Sequence, residues 1–167
     1  GIRTCLNILG LMANPAGVNR QLLGVWHQSL IEPMTRALSL LKSETAWVVH
    51  GQDGLDEVTL TGNTFVGAVK GDEIRAYTIS PADFGLKPGK IDHLKVANAK
   101  ESAAIIRDVL AGKRRDQARS LIVLNAAAAL VVGGLAPDPM HAARLAERSI
   151  DSGMAQNKLD RLIPVTN

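Results

Sequence analysis

From Leu121 to Leu135 the sequence is apolar at every position except Asn125. This stretch is shorter than the roughly 20 residues that a helix needs to cross a membrane. A helix that is apolar on all sides is instead buried within a protein, because none of its faces is suited to water. We therefore predict a central helix over about 116–132, ended by Gly133 and Gly134, with other elements packed around it.

The segments at the start of the chain alternate between strand and helix patterns. Apolar runs predict buried strands over 21–26 and 46–50. Ser29 and Glu32 match a capping box, which predicts a helix from there to about Lys42, between the two strands.

A hairpin is predicted next, with strands over 64–69 and 73–79, and residues 58–60 are expected to form a further short strand. Repeated strand–helix–strand alternation is typical of an α/β fold with a parallel or mixed sheet and flanking helices. We expect one domain spanning residues 1–167, with a helical C-terminal region.

The C-terminal region is marked by capping residues. Helices are predicted over about 98–112, 138–153 and 156–162. The first begins with the pair Asn98 and Glu101, which matches a capping box. The last is expected to end before Pro164, and residues 80–97 are predicted to be a surface loop.

The charge of the chain is close to balanced, with 19 basic and 16 acidic residues and a formal net charge of +3. This balance permits an anionic substrate and is weak evidence for nucleic-acid binding. Cys5 is the one cysteine in the sequence. A single cysteine excludes an internal disulfide framework and a cysteine-rich zinc site, and it favours a reducing cytoplasm.

The adjacent carboxylates Asp56 and Glu57 are the sharpest chemical feature, since they follow the glycine-rich stretch 51–55 at the end of a predicted strand. Magnesium prefers oxygen ligands and often takes only one or two carboxylates together with substrate phosphates. On a regular strand the two side chains would face opposite ways, so they could serve two ions or bracket one through water. The simpler alternative is a solvated acidic pair.

Arg3 and His50 are weaker candidates when each is taken alone. An arginine can bind a carboxylate or phosphate through two parallel hydrogen bonds, but a single arginine near a terminus is more often a surface charge. His50, at the end of a predicted strand, could be a base or a ligand, but such a histidine is more often structural.

Several strings, taken in order, resemble the bacterial anthranilate phosphoribosyltransferases. They are GIRTCLNILG, NPAG, RQLLGV, VVHGQDGLDEVTLTG, ISPADFGL, LNAAAAL and IDSGMAQNKLDRL. The resemblance covers nearly all of the chain, and the combination of GIRT, HGQDGLDE and LNAAAAL is specific. It implies the α/β catalytic domain of the nucleoside phosphorylase and phosphoribosyltransferase fold, of which this chain would be the C-terminal part.

The resemblance also implies a reaction, in which the amine of anthranilate displaces pyrophosphate from phosphoribosyl pyrophosphate during tryptophan synthesis. Residue by residue, Arg3 matches the arginine that contacts anthranilate, and Asp56 and Glu57 match the pair that binds Mg²⁺. No catalytic side chain is assigned. A cytoplasmic homodimer is implied for the full-length protein, with no role for a membrane.

Two departures from the family pattern qualify this expectation. Leu9-Gly10-Leu11-Met12 stands where the family usually reads Leu-Gly-Pro-Leu. The family's GTGGD loop, its Asn-Ile-Ser-Thr stretch and its lysine-containing loop, which bind most of the phosphoribosyl pyrophosphate, precede the matching region, as does the helical domain that forms the dimer. We therefore expect the isolated chain to be inactive.

Two other functions remain as alternatives. A non-catalytic relative that binds nucleic acid would use the run Lys113-Arg114-Arg115 and the sequence pI near 9.3. A pyrimidine nucleoside phosphorylase would share the fold. The GIRT and GLDE strings argue against both alternatives.

Overall fold

The computed structural model describes Gly10, Met12 and residues 16–166. The strands are β1 (Arg20–Gly24), β2 (Thr45–Gly51), β3 (Thr64–Lys70) and β4 (Glu73–Ile79). The helices discussed below are α1 (Ile31–Leu40), α2 (Ala99–Leu110), α3 (Gln117–Val132), α4 (Pro139–Asp151) and α5 (Met154–Thr166). The predicted α/β fold with a helical C-terminal region is confirmed.

The strands form one mixed sheet in the order β1-β2-β3-β4. β1 and β2 are parallel and are connected through α1, whereas β2 pairs with β3 and β3 with β4 in antiparallel fashion. The parallel pair brings the carboxyl ends of β1 and β2 to the same end of the sheet.

Both faces of the sheet are covered, as the alternation of side chains along β2 shows. Ala46 and Val48 belong to the core beneath α1, together with Leu38. Trp47 and Val49 belong to the larger core on the opposite face, which is completed by α2, α3 and α4. The sheet therefore lies between α1 and the C-terminal helices.

Helix α3 occupies the centre of the larger core, as predicted from its apolar sequence. It contacts β1, β2, α2 and α4. Its buried residues are Ala118, Arg119, Val123, Leu124, Ala127, Ala128 and Val132. In the part of the chain that the structure describes, no helix is long and apolar enough to cross a membrane.

The predicted strand over 58–60 is wrong. These residues are buried, but they pair with no strand. The N–H of Val58 donates to Oδ1 of Asn125, and the N–H of Thr59 donates to Oγ1 of Thr64, each over 2.9 Å. Side chains thus supply partners that a neighbouring strand would otherwise supply.

The predicted capping box of Ser29 and Glu32 is also wrong. The side chain of His27 accepts the N–H of Ser29 and caps a 3₁₀ helix over Gln28–Leu30, after which α1 begins without a side-chain cap. Glu32 instead forms an exposed ion pair with Arg36, one turn along α1.

Two further predictions need correction nearer the C-terminus. Residues 80–97 include short 3₁₀ helices over Pro81–Phe84 and Asp92–Leu94, and Phe84 is buried in the larger core. α5 continues past its predicted end to Thr166. Pro164 is tolerated there because it lies in the last turn, where it removes a single backbone donor.

Candidate functional site

The candidate site lies where β1 and β2 end side by side. The chain leaves β2 there through residues 51–60, which we call the acidic loop. The pairing of the two strands continues just past β1, since the N–H of Val25 donates to the carbonyl of Val49 over 2.9 Å. Ligands of such sheets bind beyond the carboxyl ends of the strands.

Asp53 organises the first half of the acidic loop. Its Oδ2 accepts the hydroxyls of Thr59 and Thr61 over 2.7 and 2.8 Å, and its Oδ1 accepts the N–H of Leu55 over 3.2 Å. Burial alone would raise the pKa of Asp53, but these hydrogen bonds hold it below its ordinary value. Both carboxylate oxygens are therefore engaged within the loop, a role that was not predicted from the sequence.

The backbone of Asp56 lies directly against β1. A Cβ atom added to Gly24 would fall 1.6 Å from the carbonyl oxygen of Asp56, closer than any non-bonded contact. Glycine is thus required at the end of β1 for the acidic loop to lie where it does.

Asn125 of α3 holds the other side of the acidic loop. Its Oδ1 accepts the N–H of Val58 and its Nδ2 donates to the carbonyl of Val58, each over 2.9 Å. A further bond of 3.2 Å runs from Nδ2 to the carbonyl of Leu121. In the sequence, Asn125 stands out only as the polar exception in an apolar stretch.

Asp56 and Glu57 are both exposed and lie in a bent segment, so the expectation drawn from a regular strand does not apply. Partial desolvation, and then the neighbouring charge of Asp56, raise the pKa of Glu57 above its ordinary value. Among the described residues, neither carboxylate forms an ion pair or a side-chain hydrogen bond. A cation between them would relieve their repulsion.

The donor set of this pair fits magnesium. The described residues contain no group of three or more His, Cys, Asp or Glu side chains that could hold a metal. Magnesium, however, often uses only one or two protein carboxylates, and water and substrate phosphates complete its shell. Two free carboxylates at the carboxyl end of a sheet meet that requirement.

Glu57 and Asn125 also line a cleft of about 390 Å³ between α2 and α3. The rest of the lining is mostly apolar and consists of Leu94, Val96, Ser102, Ile105, Ile106, Ala118, Leu121 and Ile122. This apolar wall lies beside Glu57 and accounts for the desolvation of its carboxylate.

His50 connects the ends of the two parallel strands. It is buried, with 9% of its surface exposed. Its Nδ1 lies 2.7 Å from the carbonyl of Val25. Because a carbonyl only accepts hydrogen bonds, Nδ1 carries the proton. This bond gives His50 a structural role, in keeping with the simpler of the two interpretations of the sequence.

Arg3 lies outside the described residues. The structure therefore does not place it relative to Asp56 and Glu57.

The basic run Lys113-Arg114-Arg115 is neutralised by aspartates. Arg114 pairs with Asp116 over 2.5 Å, and Lys113 and Arg115 pair with Asp108 and Asp151 over 3.9 and 3.4 Å. Since each positive charge faces an acidic partner, the run offers little free charge to a phosphate backbone.

Comparison with known sequences and structures identifies the family of the chain. The sequence model described as "Glycosyl transferase family, a/b domain" matches residues 1–156. The chain is 48% identical over 164 residues to the anthranilate phosphoribosyltransferase of Rubrobacter xylanophilus, covering 98% of this chain and 48% of that protein. It is 47% identical over 167 residues to that of Methylocella silvestris, covering 100% and 48%. The chain thus spans about half the length of these relatives.

Solved structures give the same result. The chain is similar to the anthranilate phosphoribosyltransferase from Thermus thermophilus, with a TM-score of 0.86, 35% identity, and coverage of 96% of this chain and 47% of that one. It is also similar to the Saccharomyces cerevisiae enzyme in complex with PRPP and Mg, with a TM-score of 0.84, 29% identity, and coverage of 96% and 46%. The complex of the yeast enzyme with 4-fluoroanthranilate gives a TM-score of 0.87 at 28% identity, with coverage of 98% and 48%.

Proposed function

This chain belongs to the glycosyl transferase family, a/b domain, and from that premise we propose that it is the C-terminal half of an anthranilate phosphoribosyltransferase. The observation that carries the proposal is the free Asp56–Glu57 pair at the carboxyl ends of β1 and β2, in a chain similar to an enzyme solved with PRPP and Mg. The complete protein would transfer the phosphoribosyl group of phosphoribosyl pyrophosphate to anthranilate in tryptophan synthesis.

The role of Asp56 and Glu57 in this proposal is to hold Mg²⁺. When bound, the ion would supply positive charge to the pyrophosphate group, on which negative charge builds as it leaves. The protein's own contribution is to keep both carboxylates free and accessible. The hydrogen bonds of the acidic loop serve this purpose, because they use the side chain of Asp53 and the backbone of Val58 but neither carboxylate of the pair.

The proposed role of Arg3 is to bind the carboxylate of anthranilate, which suits the planar fork of a guanidinium. The amine of anthranilate then remains free to attack C1 of the ribose. The new C–N bond forms as the C–O bond to pyrophosphate breaks, the bonding electrons leave with pyrophosphate, and the amine loses a proton. Much of the rate would come from holding the two substrates in line.

The length of the relatives suggests which part of the enzyme this chain represents. Since the chain spans about half the length of its relatives, we propose that residues 1–167 contribute part of one catalytic domain. The segments that bind phosphoribosyl pyrophosphate, and the helical domain of a cytoplasmic homodimer, would belong to the other half. Turnover would then require the full-length protein.

The test is the consumption of anthranilate, followed by its fluorescence, by the full-length protein with phosphoribosyl pyrophosphate and Mg²⁺. Replacing Asp56→Asn together with Glu57→Gln should lower the rate at limiting Mg²⁺ by at least about 100-fold, since loss of metal ligands should exceed the roughly 10- to 100-fold effects of residues behind them.

The chain supplies a matched control in Asp72 and Glu73, another adjacent acidic pair, which lies at the turn between β3 and β4. These residues form exposed pairs with Lys42 and Arg75, which contribute little. Asp72→Asn with Glu73→Gln should therefore retain the wild-type rate. Failure of the wild-type protein to consume anthranilate would refute the proposed reaction, and equal rates for the two double variants would refute the metal role.

A further inference from the structure

Asn125 makes an unusual set of contacts for a residue in an apolar helix. It is the polar exception between Leu121 and Leu135, and it is only partly buried. Its amide group makes two hydrogen bonds to the backbone of Val58 and one to the carbonyl of Leu121. The two bonds to Val58 connect residues 67 positions apart in the sequence.

These two bonds fix the acidic loop at the residue that follows Glu57. Val58 has 0% of its surface exposed and belongs to no strand, so its backbone N–H and carbonyl have no water to bind. Asn125 satisfies both groups with one rigid amide. A donor and an acceptor used together fix both the position and the orientation of a peptide, which a single bond would not do.

The residue before Glu57 is fixed from the opposite side. The carbonyl oxygen of Asp56 lies so close to Gly24 that β1 has no room for a Cβ atom there. The segment 56–58 is thus confined between β1 and α3, while neither carboxylate of the acidic pair is consumed in holding it.

We propose that Asn125 is a positioning residue for the metal-binding pair, acting on Asp56 and Glu57 through the backbone of Val58. This inference rests on the metal role proposed above for the pair. It predicts that removing the Asn125 amide weakens metal binding more than a variant of α3 that lowers the stability of the fold to a similar extent.

The test compares Asn125→Ala with Val132→Ala in the full-length protein. Val132 is buried in the same helix, about 10 Å further along the axis at 1.5 Å per residue, and it lies beside the opposite end of the sheet near Gly134. Both variants should lower the melting temperature, which provides a scale for general damage to α3.

Metal binding is measured in two ways. The first is the Mg²⁺ concentration that gives half-maximal turnover, set beside the KM for anthranilate. The second needs no turnover. Mn²⁺ is titrated into the protein with phosphoribosyl pyrophosphate present and anthranilate absent. Water-proton relaxation then reports the fraction of Mn²⁺ that is bound to the protein.

Asn125→Ala should weaken Mn²⁺ binding and raise the Mg²⁺ requirement roughly 10- to 100-fold, as is typical for residues that orient metal ligands. The KM for anthranilate should change much less, and Val132→Ala should leave both metal measurements near wild type. Equal effects of the two variants would overturn the proposal. If Asn125→Ala does not fold, Asn125→Gln tests the proposal instead. Its longer side chain should shift Val58 and weaken Mn²⁺ binding several-fold. Mn²⁺ binding as tight as in the wild type would overturn the proposal.

The same measurements separate failure of this inference from failure of the proposed function. Absence of turnover in the wild-type protein would refute the reaction, but Mn²⁺ binding that depends on Asp56, Glu57 and Asn125 would still support the positioning role. Wild-type turnover with Mn²⁺ binding unaffected by Asn125→Ala would refute the positioning role alone.

Discussion

Replacing Asn125 by leucine tests whether hydrogen bonding or apolar packing governs the contact between α3 and the acidic loop. Leucine has the same number of side-chain heavy atoms as asparagine, favours helix more strongly, and would make the stretch from Leu121 to Leu135 apolar throughout. Hydropathy alone therefore predicts stabilisation. The hydrogen bonds to Val58 predict the opposite.

The magnitude follows from the two groups that lose their partner. The N–H and carbonyl of Val58 are both fully buried, and each unsatisfied group costs about 1–3 kcal/mol, or about 2–6 kcal/mol together. Leucine returns at most about 0.5 kcal/mol through helix propensity and about 1 kcal/mol through burial at a half-exposed position. Subtracting a return of about 1.5 kcal/mol, Asn125→Leu should thus destabilise the region by about 0.5–4.5 kcal/mol.

Amide hydrogen exchange is the appropriate assay, because a large protein need not unfold in one step and exchange reports the local opening. Peptides covering residues 51–60 should exchange faster in Asn125→Leu, by about 60-fold for about 2.5 kcal/mol at the middle of that range, since about 1.4 kcal/mol corresponds to one factor of ten. Ala129→Leu, at an exposed position of the same helix, controls for the added leucine and should leave the protection of these peptides unchanged. Undiminished protection in Asn125→Leu would show that apolar packing, and not the hydrogen bonds to Val58, governs the contact.

Two further predictions concern the neighbours of the acidic pair. Gly24→Ala would place a Cβ atom 1.6 Å from the carbonyl oxygen of Asp56. It should therefore cost about 1–3 kcal/mol of stability and raise the Mg²⁺ concentration needed for turnover. A melting temperature equal to that of the wild type would contradict the close approach of Gly24 and Asp56. Hydrogen bonds from Thr59 and Thr61 outweigh burial and keep the pKa of Asp53 below its ordinary value of 3.8. The stability that ionised Asp53 contributes is therefore fully present above pH 3.8, and it is lost as the pH falls from there through the lowered pKa. Asp53→Asn should flatten the dependence of melting temperature on pH in this acid range, and a profile parallel to wild type would contradict the assignment.

The regular elements were largely predictable from the sequence because their signals are local. The hairpin over β3 and β4 was placed within a residue of its observed ends. The predicted cap at Asn98 is also correct, and its side chain accepts the N–H group of Glu101. In each case the residues that decide the structure lie within a few positions of one another.

The errors arose where the deciding partner is distant or equally local signals compete. An apolar run such as 58–60 resembles a strand, and only the arrival of Asn125 from α3 explains why it needs no neighbouring strand. At the start of α1, Ser29 had a plausible partner in Glu32, but His27 lies closer and caps a 3₁₀ helix first. The same limit applies to the candidate site, since Asp56 and Glu57 were proposed from the sequence whereas the contacts of Gly24 and Asn125 with their loop were not predicted.

The acidic loop separates the carboxylate that holds the structure from the carboxylates that remain free. Asp53 uses both oxygens in hydrogen bonds to Thr59, Thr61 and Leu55, and its pKa is lowered accordingly. Asp56 and Glu57 are held through backbone atoms instead, and their mutual repulsion contributes to the raised pKa of Glu57. Because β1 and α3 fix the backbone on both sides of Glu57, only the side chains of the pair are left to respond to this repulsion. In the proposed function, a divalent cation bound by the pair would relieve this repulsion.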